Sequence, residues 1–277
     1  MSNIIEFYGP PGSGKTILAR KAVKYLRSKK IKTIGRNESQ RIGLNRWCKQ
    51  TRKASTELRT LSFILDNGPK LITDNLTEKS HLFIDRYEFK KELINDFIFE
   101  NRDFFELILD CTEDLYHDNA EKIILSRFTD SISIYQNIFE YIEDEFIVLD
   151  EAFCNDILIA FSLLNLDIIP SNYKNFIMKL VNHISNMIDY GFFVEIKPEI
   201  SLKRQKSRER IVRGIKDERD NQKLLKDLKL RYENSKLIHR TLSENNIPSF
   251  KIDNNKSLEL SEKQLYDHLD HIISDNI

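Results

Sequence analysis

The chain has few cysteines, no excess of either charge and no long apolar run, and each shortage removes a class of protein. Cys48, Cys111 and Cys154 are the three thiols in 277 residues. They lie far apart and form no CxxC pair, which argues against a zinc site or a disulfide framework and fits a reducing, cytoplasmic setting. Lys plus Arg number 43, as do Asp plus Glu. A balanced chain has no global electrostatic attraction to nucleic acid or to an anionic membrane. The longest apolar stretch, ILIAFSLLNLDII, is interrupted by Asn165 and Asp167. It is too short to span a bilayer, so it reads as a buried helix. No basic leader precedes the strand-like residues that begin at Asn3, and neither an internal repeat nor a low-complexity linker is present. The length suffices for one large α/β domain or two small ones, with a substantial core.

Five short apolar runs read as strands: Ile4–Tyr8, Lys32–Gly35, Phe146–Asp150, Phe192–Ile196 and Ser249–Asp253. Nearly continuous apolar runs are expected of parallel strands covered by helices on both faces. Helical periodicity separates them, first in Ile17–Lys29, where Leu18, Ala22 and Leu26 share one face. The alternation predicts a doubly wound α/β fold. More than a hundred residues, 37–145, intervene between the second and third runs with little strand character. Their apolar positions recur at helical spacing through Leu93, Phe97, Phe104, Leu107 and Ile108, then through Ile124, Phe128, Ile132, Tyr135, Phe139 and Ile142. A helical insertion is predicted there, with a turn at Asn67-Gly68-Pro69 and an N-cap at Asp118 or Asn119. Because ligands bind at the carboxyl ends of parallel strands, this insertion is a natural acceptor-binding region.

Residues 9–16 read GPPGSGKT and match GxxxxGK[ST] between an apolar strand and an amphipathic helix. The glycines allow successive N–H groups of Gly9, Pro10, Pro11, Gly12, Ser13, Gly14, Lys15 and Thr16 (the prolines excepted) to curl around a β-phosphate at a helix N-terminus. Lys15 is expected to bridge the β- and γ-phosphates of ATP, and the Thr16 hydroxyl to ligate Mg²⁺. The run Phe146-Ile-Val-Leu-Asp150-Glu151 then places a carboxylate, Asp150, beside the metal. Glu151 has two readings. It either polarises an attacking water, as in a P-loop ATPase or regulatory NTPase, or orients an acceptor hydroxyl.

Farther on, Phe192-Phe-Val-Glu-Ile-Lys-Pro198-Glu199 runs into Lys203-Arg204 and Arg208-Glu-Arg210. Pro198 suits a first helical turn and Glu199 the positive end of its dipole, while Arg204 and Arg208, four apart, share one face. This segment resembles the thymidylate-kinase-like and deoxynucleoside-kinase-like branch of the P-loop kinases, where a strand and a Pro-Glu helix lead to an arginine-rich lid. The last strand, Phe250-Lys-Ile-Asp253, resembles theirs as well. The resemblance covers the glycine loop, the third strand and the C-terminal third, but not 37–145. It implies a five-stranded parallel sheet of order 2-3-1-4-5 in one kinase-like domain spanning 1–277, a lid over 197–220, and catalytic roles for Lys15, Glu151, Arg204 and Arg208. Asp150-Glu151 departs from the Asp-Arg of thymidylate kinases, which disfavours a nucleoside monophosphate acceptor and favours a hydroxyl.

A second alignment remains open. Ser126-Arg127-Phe128…Ser131…Tyr135-Gln136 also resembles the Asp-Arg-Tyr…Ser…Tyr-Gln segment of thymidylate kinases, which would make Ile123–Leu125 a strand and Arg127 a phosphate ligand. Arg36, Arg41, Arg46 and Arg52 are either acceptor ligands or a solvated face. The stripe Phe97, Phe99, Phe104 and Phe105 reads first as core packing. The six histidines receive no role. The expected protein is thus a cytoplasmic ATP- and Mg²⁺-dependent kinase acting on a small-molecule phosphate acceptor, with a homodimer left open.

Overall fold

A computed structural model describes residues 2–50, 88–115, 120–143, 145–162, 171–207 and 218–276. The strands are β1 (Asn3–Tyr8), β2 (Thr33–Gly35), β3 (Phe146–Leu149), β4 (Tyr190–Glu195) and β5 (Ser249–Asp253). They form one parallel sheet in the order β2-β3-β1-β4-β5, with registers Ile34↔Ile147, Ile5↔Val148, Phe7↔Phe192 and Phe193↔Lys251. This is the expected 2-3-1-4-5 order. Between and after the strands run α1 (Lys15–Ser28), α2 (Arg36–Gln50), α3 (Glu88–Glu100), α4 (Arg102–Leu115), α5 (Ala120–Tyr141), α6 (Phe153–Ser162), α7 (Tyr173–Ile184), α8 (Pro198–Lys206), α9 (Glu218–Glu244) and α10 (Leu258–Asn276).

The pleat sends alternate side chains of β1 to opposite faces. Ile5 and Phe7 pack with Leu18, Ala22 and Leu26 of α1 and with Leu265, Leu269 and Ile272 of α10. Ile4 and Tyr8 join the larger core beneath α3 to α7 and α9, with Phe104, Phe128, Tyr135, Phe153 and Ile238. Within 37–145 the described residues are helical apart from short connections, and α5 packs against α2, α3 and α6. The strand alternative at Ile123–Leu125 is overturned, because those residues lie inside α5. Its 3.6-residue period buries Ile124, Phe128, Ile132 and Tyr135 on one side, which a two-residue strand period cannot do. Phe97 and Phe104 are core as expected, whereas Phe99 is 88% exposed. The turn at Asn67-Gly68-Pro69, the capping positions Asp118 and Asn119, and Arg52, Arg208 and Arg210 lie outside the described residues. So does 208–217 of the lid segment. The three cysteines are free and buried, and among the described residues no helix is long and apolar enough to cross a membrane.

Candidate active site

The loop between β1 and α1 turns on glycines at φ 149° (Gly9), 76° (Gly12) and 90° (Gly14). At Gly9 a Cβ would stand 2.5 Å from the Val194 carbonyl oxygen of β4, and at Gly14 one would stand 2.7 Å from Asn254 Nδ2. Both positions therefore require glycine for conformation and for space. Two neighbouring segments brace the loop. Ser201 of α8 donates its hydroxyl to Pro11 O at 2.5 Å, and Gln205 Nε2 donates to Ser201 Oγ at 3.1 Å. From the β5–α10 connection, Asn254 donates Nδ2 to Ser13 O at 2.5 Å and accepts from Ser261 Oγ at 2.9 Å. The backbone curl is thus held by side chains 190 and 241 residues away. Ser13 Oγ is itself buried and, among the described residues, unpartnered, a further donor within the loop. That donor set fits a phosphate group bringing acceptor oxygens.

Lys15 opens α1 beside this cradle. Burial lowers its pKa, the carboxylates of Glu151 and Asp150 oppose that shift, and Arg231 reinforces it. The four side chains therefore share one electrostatic neighbourhood at the carboxyl ends of β1 and β3. Arg231 was not anticipated. It projects from α9, where its Nε donates to Asp227 Oδ2 at 2.9 Å with both side chains largely buried. Desolvation raises Asp227, and the guanidinium limits the rise. The available signal was an Asp–Arg pair at i, i+4 alongside the buried stripe Leu228, Ser235, Ile238 and Leu242. Thr16 and Asp150 flank the same region. Among the described residues no three His, Cys, Asp or Glu side chains cluster as a metal cage. Two protein oxygens suit Mg²⁺, which is held mainly by phosphates and water.

A second polar group lies at the ends of β2 and β3. Arg36, the first residue of α2, places Nη1 3.6 Å from Glu151 Oε2. Asp156 of α6 is 5% exposed and accepts from Ser131 Oγ of α5 at 2.5 Å. Burial pushes its carboxyl up to about 8, against the Ser131 hydrogen bond and the positive charges of Arg36 and Arg127. Arg127 therefore reaches this neighbourhood from a helix, not from a strand end. Beneath it Glu6, fully buried in β1, accepts from Cys154 N at 2.8 Å and from Tyr135 OH at 3.0 Å. Burial raises Glu6 to about 7.

The other predicted residues fall elsewhere. Arg46 donates to Tyr141 O and so ties α2 to the end of α5. Arg204 donates Nη2 to Asn254 O at 2.9 Å, which brings it to the connection that braces the glycine loop. Pro198 and Glu199 occupy the first turn of α8 as expected.

No protein-family model matches the chain, and no curated protein matches it. Two solved structures of deoxyadenosine kinase from M. mycoides are similar to it at 11% identity, covering 97% of this chain and 99% of theirs. One, with bound dCTP, superposes with a TM-score of 0.45, and the other, with the products dCMP and a flexible dCDP, with 0.41. At such scores no residue role is carried across. The chain's own parallel sheet, in the order β2-β3-β1-β4-β5 with a GxxxxGK[ST] loop after its central strand, gives it a P-loop NTPase fold.

Proposed function

We propose that the chain is an ATP-dependent kinase that moves the γ-phosphate to a hydroxyl of a small molecule of the nucleoside or nucleotide type. The observation that carries this reading is the second polar group. Arg36 meets Glu151 and, with Arg127, lends positive charge to the buried Asp156–Ser131 pair. Water hydrolysis needs no buried carboxyl held by a serine and faced by two arginines. Recognition of a polar acceptor does, because a buried donor–acceptor pair rejects molecules that leave it unpaired.

In this reading the amides of 9–16 and the Ser13 hydroxyl bind the donor phosphates, and Lys15 neutralises charge as the phosphoryl group departs. Burial lowers its pKa, while the Glu151 and Asp150 carboxylates favour its charged form. Thr16 and Asp150 would hold Mg²⁺, which would supply charge neutralisation at the donor phosphates. Glu151 orients the acceptor hydroxyl and takes its proton, and Asp156 protonated at neutral pH can donate a hydrogen bond to an acceptor heteroatom. Arg231 adds a cation on the α9 side. The 197–220 segment, with Arg204 and Arg208, is the lid of this scheme.

The competing reading is an ATPase in which Glu151 activates water, and the Asp150-Glu151 sequence favours it. Incubation with Mg-ATP carrying a labelled γ-phosphate, with and without a panel of nucleosides, nucleotides and sugars, separates the two. Acceptor-dependent ADP formation with a labelled product is expected. ADP formation at one rate throughout, with no labelled acceptor, refutes the kinase reading.

A further inference from the structure

The Arg36–Glu151 contact joins the ends of two neighbouring strands. Gly35 pairs with Val148, so the residue after β2 and the residue that follows Asp150 emerge side by side. Arg36 is only partly exposed and sits between two carboxyl groups of different kinds. One is the half-exposed Glu151 at 3.6 Å, which acts on Lys15. The other is the buried Asp156 of the second polar group. A guanidinium has five donors in a fixed fork, and among the described residues the contact to Glu151 is the one ion pair that the Arg36 side chain makes.

We infer that Arg36 is a positioning residue that restrains Glu151 in the absence of acceptor, so that the carboxylate does not serve water. Resting on the kinase reading above, the inference assigns the same site a control over idle hydrolysis. With no acceptor bound, the ion pair ties the Glu151 carboxylate to Arg36, so that it is not free to take a proton from water. An acceptor's polar atoms compete for the Arg36 fork and free Glu151 to receive the acceptor's proton. The balance needs no further reactant. The hydroxyl proton passes to the Glu151 carboxylate as the acceptor oxygen bonds to phosphorus and the bond from phosphorus to the β,γ-bridging oxygen breaks.

The test measures phosphate release from Mg-ATP without acceptor for the wild type, Arg36→Ala, Arg36→Lys, Glu151→Gln and the double variant Arg36→Ala/Glu151→Gln. Thermal unfolding establishes that each is folded. An exposed ion pair of this type controls a population ratio of roughly two- to fivefold, so Arg36→Ala is expected to raise acceptor-free hydrolysis by about that factor. The double variant returns it to the wild-type rate or below, and Arg36→Lys, which keeps a cation, restores most of the restraint. A folded Arg36→Ala protein that hydrolyses ATP no faster than wild type overturns the inference, as does a rise that persists without Glu151. Should Arg36→Ala not fold, Arg36→Gln takes its place in the same assay: faster acceptor-free hydrolysis than wild type supports the restraint, and an equal or slower rate overturns it. If the wild type labels no acceptor in the panel, the kinase reading fails, while the Arg36 inference is judged separately on the hydrolysis rates.

Discussion

Glu6 offers the sharpest quantitative test of the folded structure. It is a carboxylic acid in the central strand, with no exposed surface, and burial raises it from an ordinary 4.5 to about 7. That difference corresponds to about 3 kcal/mol between its two protonation states, at 1.36 kcal/mol per pH unit. The folded protein holds this proton more tightly than the unfolded chain. The stabilisation is therefore complete below about pH 4.5 and is lost as pH rises through about 7. In Glu6→Gln the amide oxygen can still accept from Cys154 N and the amide nitrogen can donate to Tyr135 OH, so both hydrogen bonds survive without an ionisable group. The variant should match wild type near pH 5 and exceed it at pH 8 by up to about 3 kcal/mol, on the order of 6–12 °C in Tm for a domain of this size. Asp156 does not obscure the comparison. It is present in both proteins, and Glu6 raises it, so the substitution flattens its pH response in the same direction. Urea and thermal unfolding at intervals from pH 5 to 8 supply the data. Parallel loss of stability in the two proteins would refute the reasoning.

Other outcomes follow from the brace, the buried pair and the helix crossing. Asn254→Ala removes the donor to Ser13 O and the acceptor of Ser261 Oγ; a loss of about 1–3 kcal/mol in unfolding, with weaker Mg-ATP binding by calorimetry, is expected. Arg231→Gln strands the largely buried Asp227 and should lower both Tm and turnover. Adding Asp227→Asn should recover Tm but not turnover, and recovery of both would reduce Arg231 to a structural residue. Lys15→Ala should abolish acceptor-dependent product formation while leaving the circular dichroism spectrum unchanged. Gly43 of α2 lies where a Cβ would collide with the Asn137 amide, which donates to Ser39 O at 2.9 Å. Gly43→Ala should therefore cost about 1–3 kcal/mol by overpacking, read as a lower urea midpoint.

Features that reside in consecutive residues were readable from the sequence alone. The glycine loop is one, because its chemistry lies in the backbone torsions of Gly9, Gly12 and Gly14 and in the helix that Lys15 opens. The strand–helix alternation is another, since period and burial are local consequences of side-chain direction. Together they determined a doubly wound parallel sheet with a GxxxxGK[ST] loop after its first strand. Periodicity also reports which apolar residues are buried, but it does not report which charged residues go in with them. Glu6 interrupts an apolar strand without altering its pattern, Asp156 is the one charged residue of the apolar helix α6, and Arg231 lies on a helix rich in charge of both signs. Their roles emerge only when the order β2-β3-β1-β4-β5 brings the strand ends together. Tertiary structure set Arg36 against Glu151, Ser131 against Asp156, and Asn254 against the glycine loop across 241 residues. Desolvation and paired charge depend on neighbours in space, and those neighbours exist only after the strands have packed.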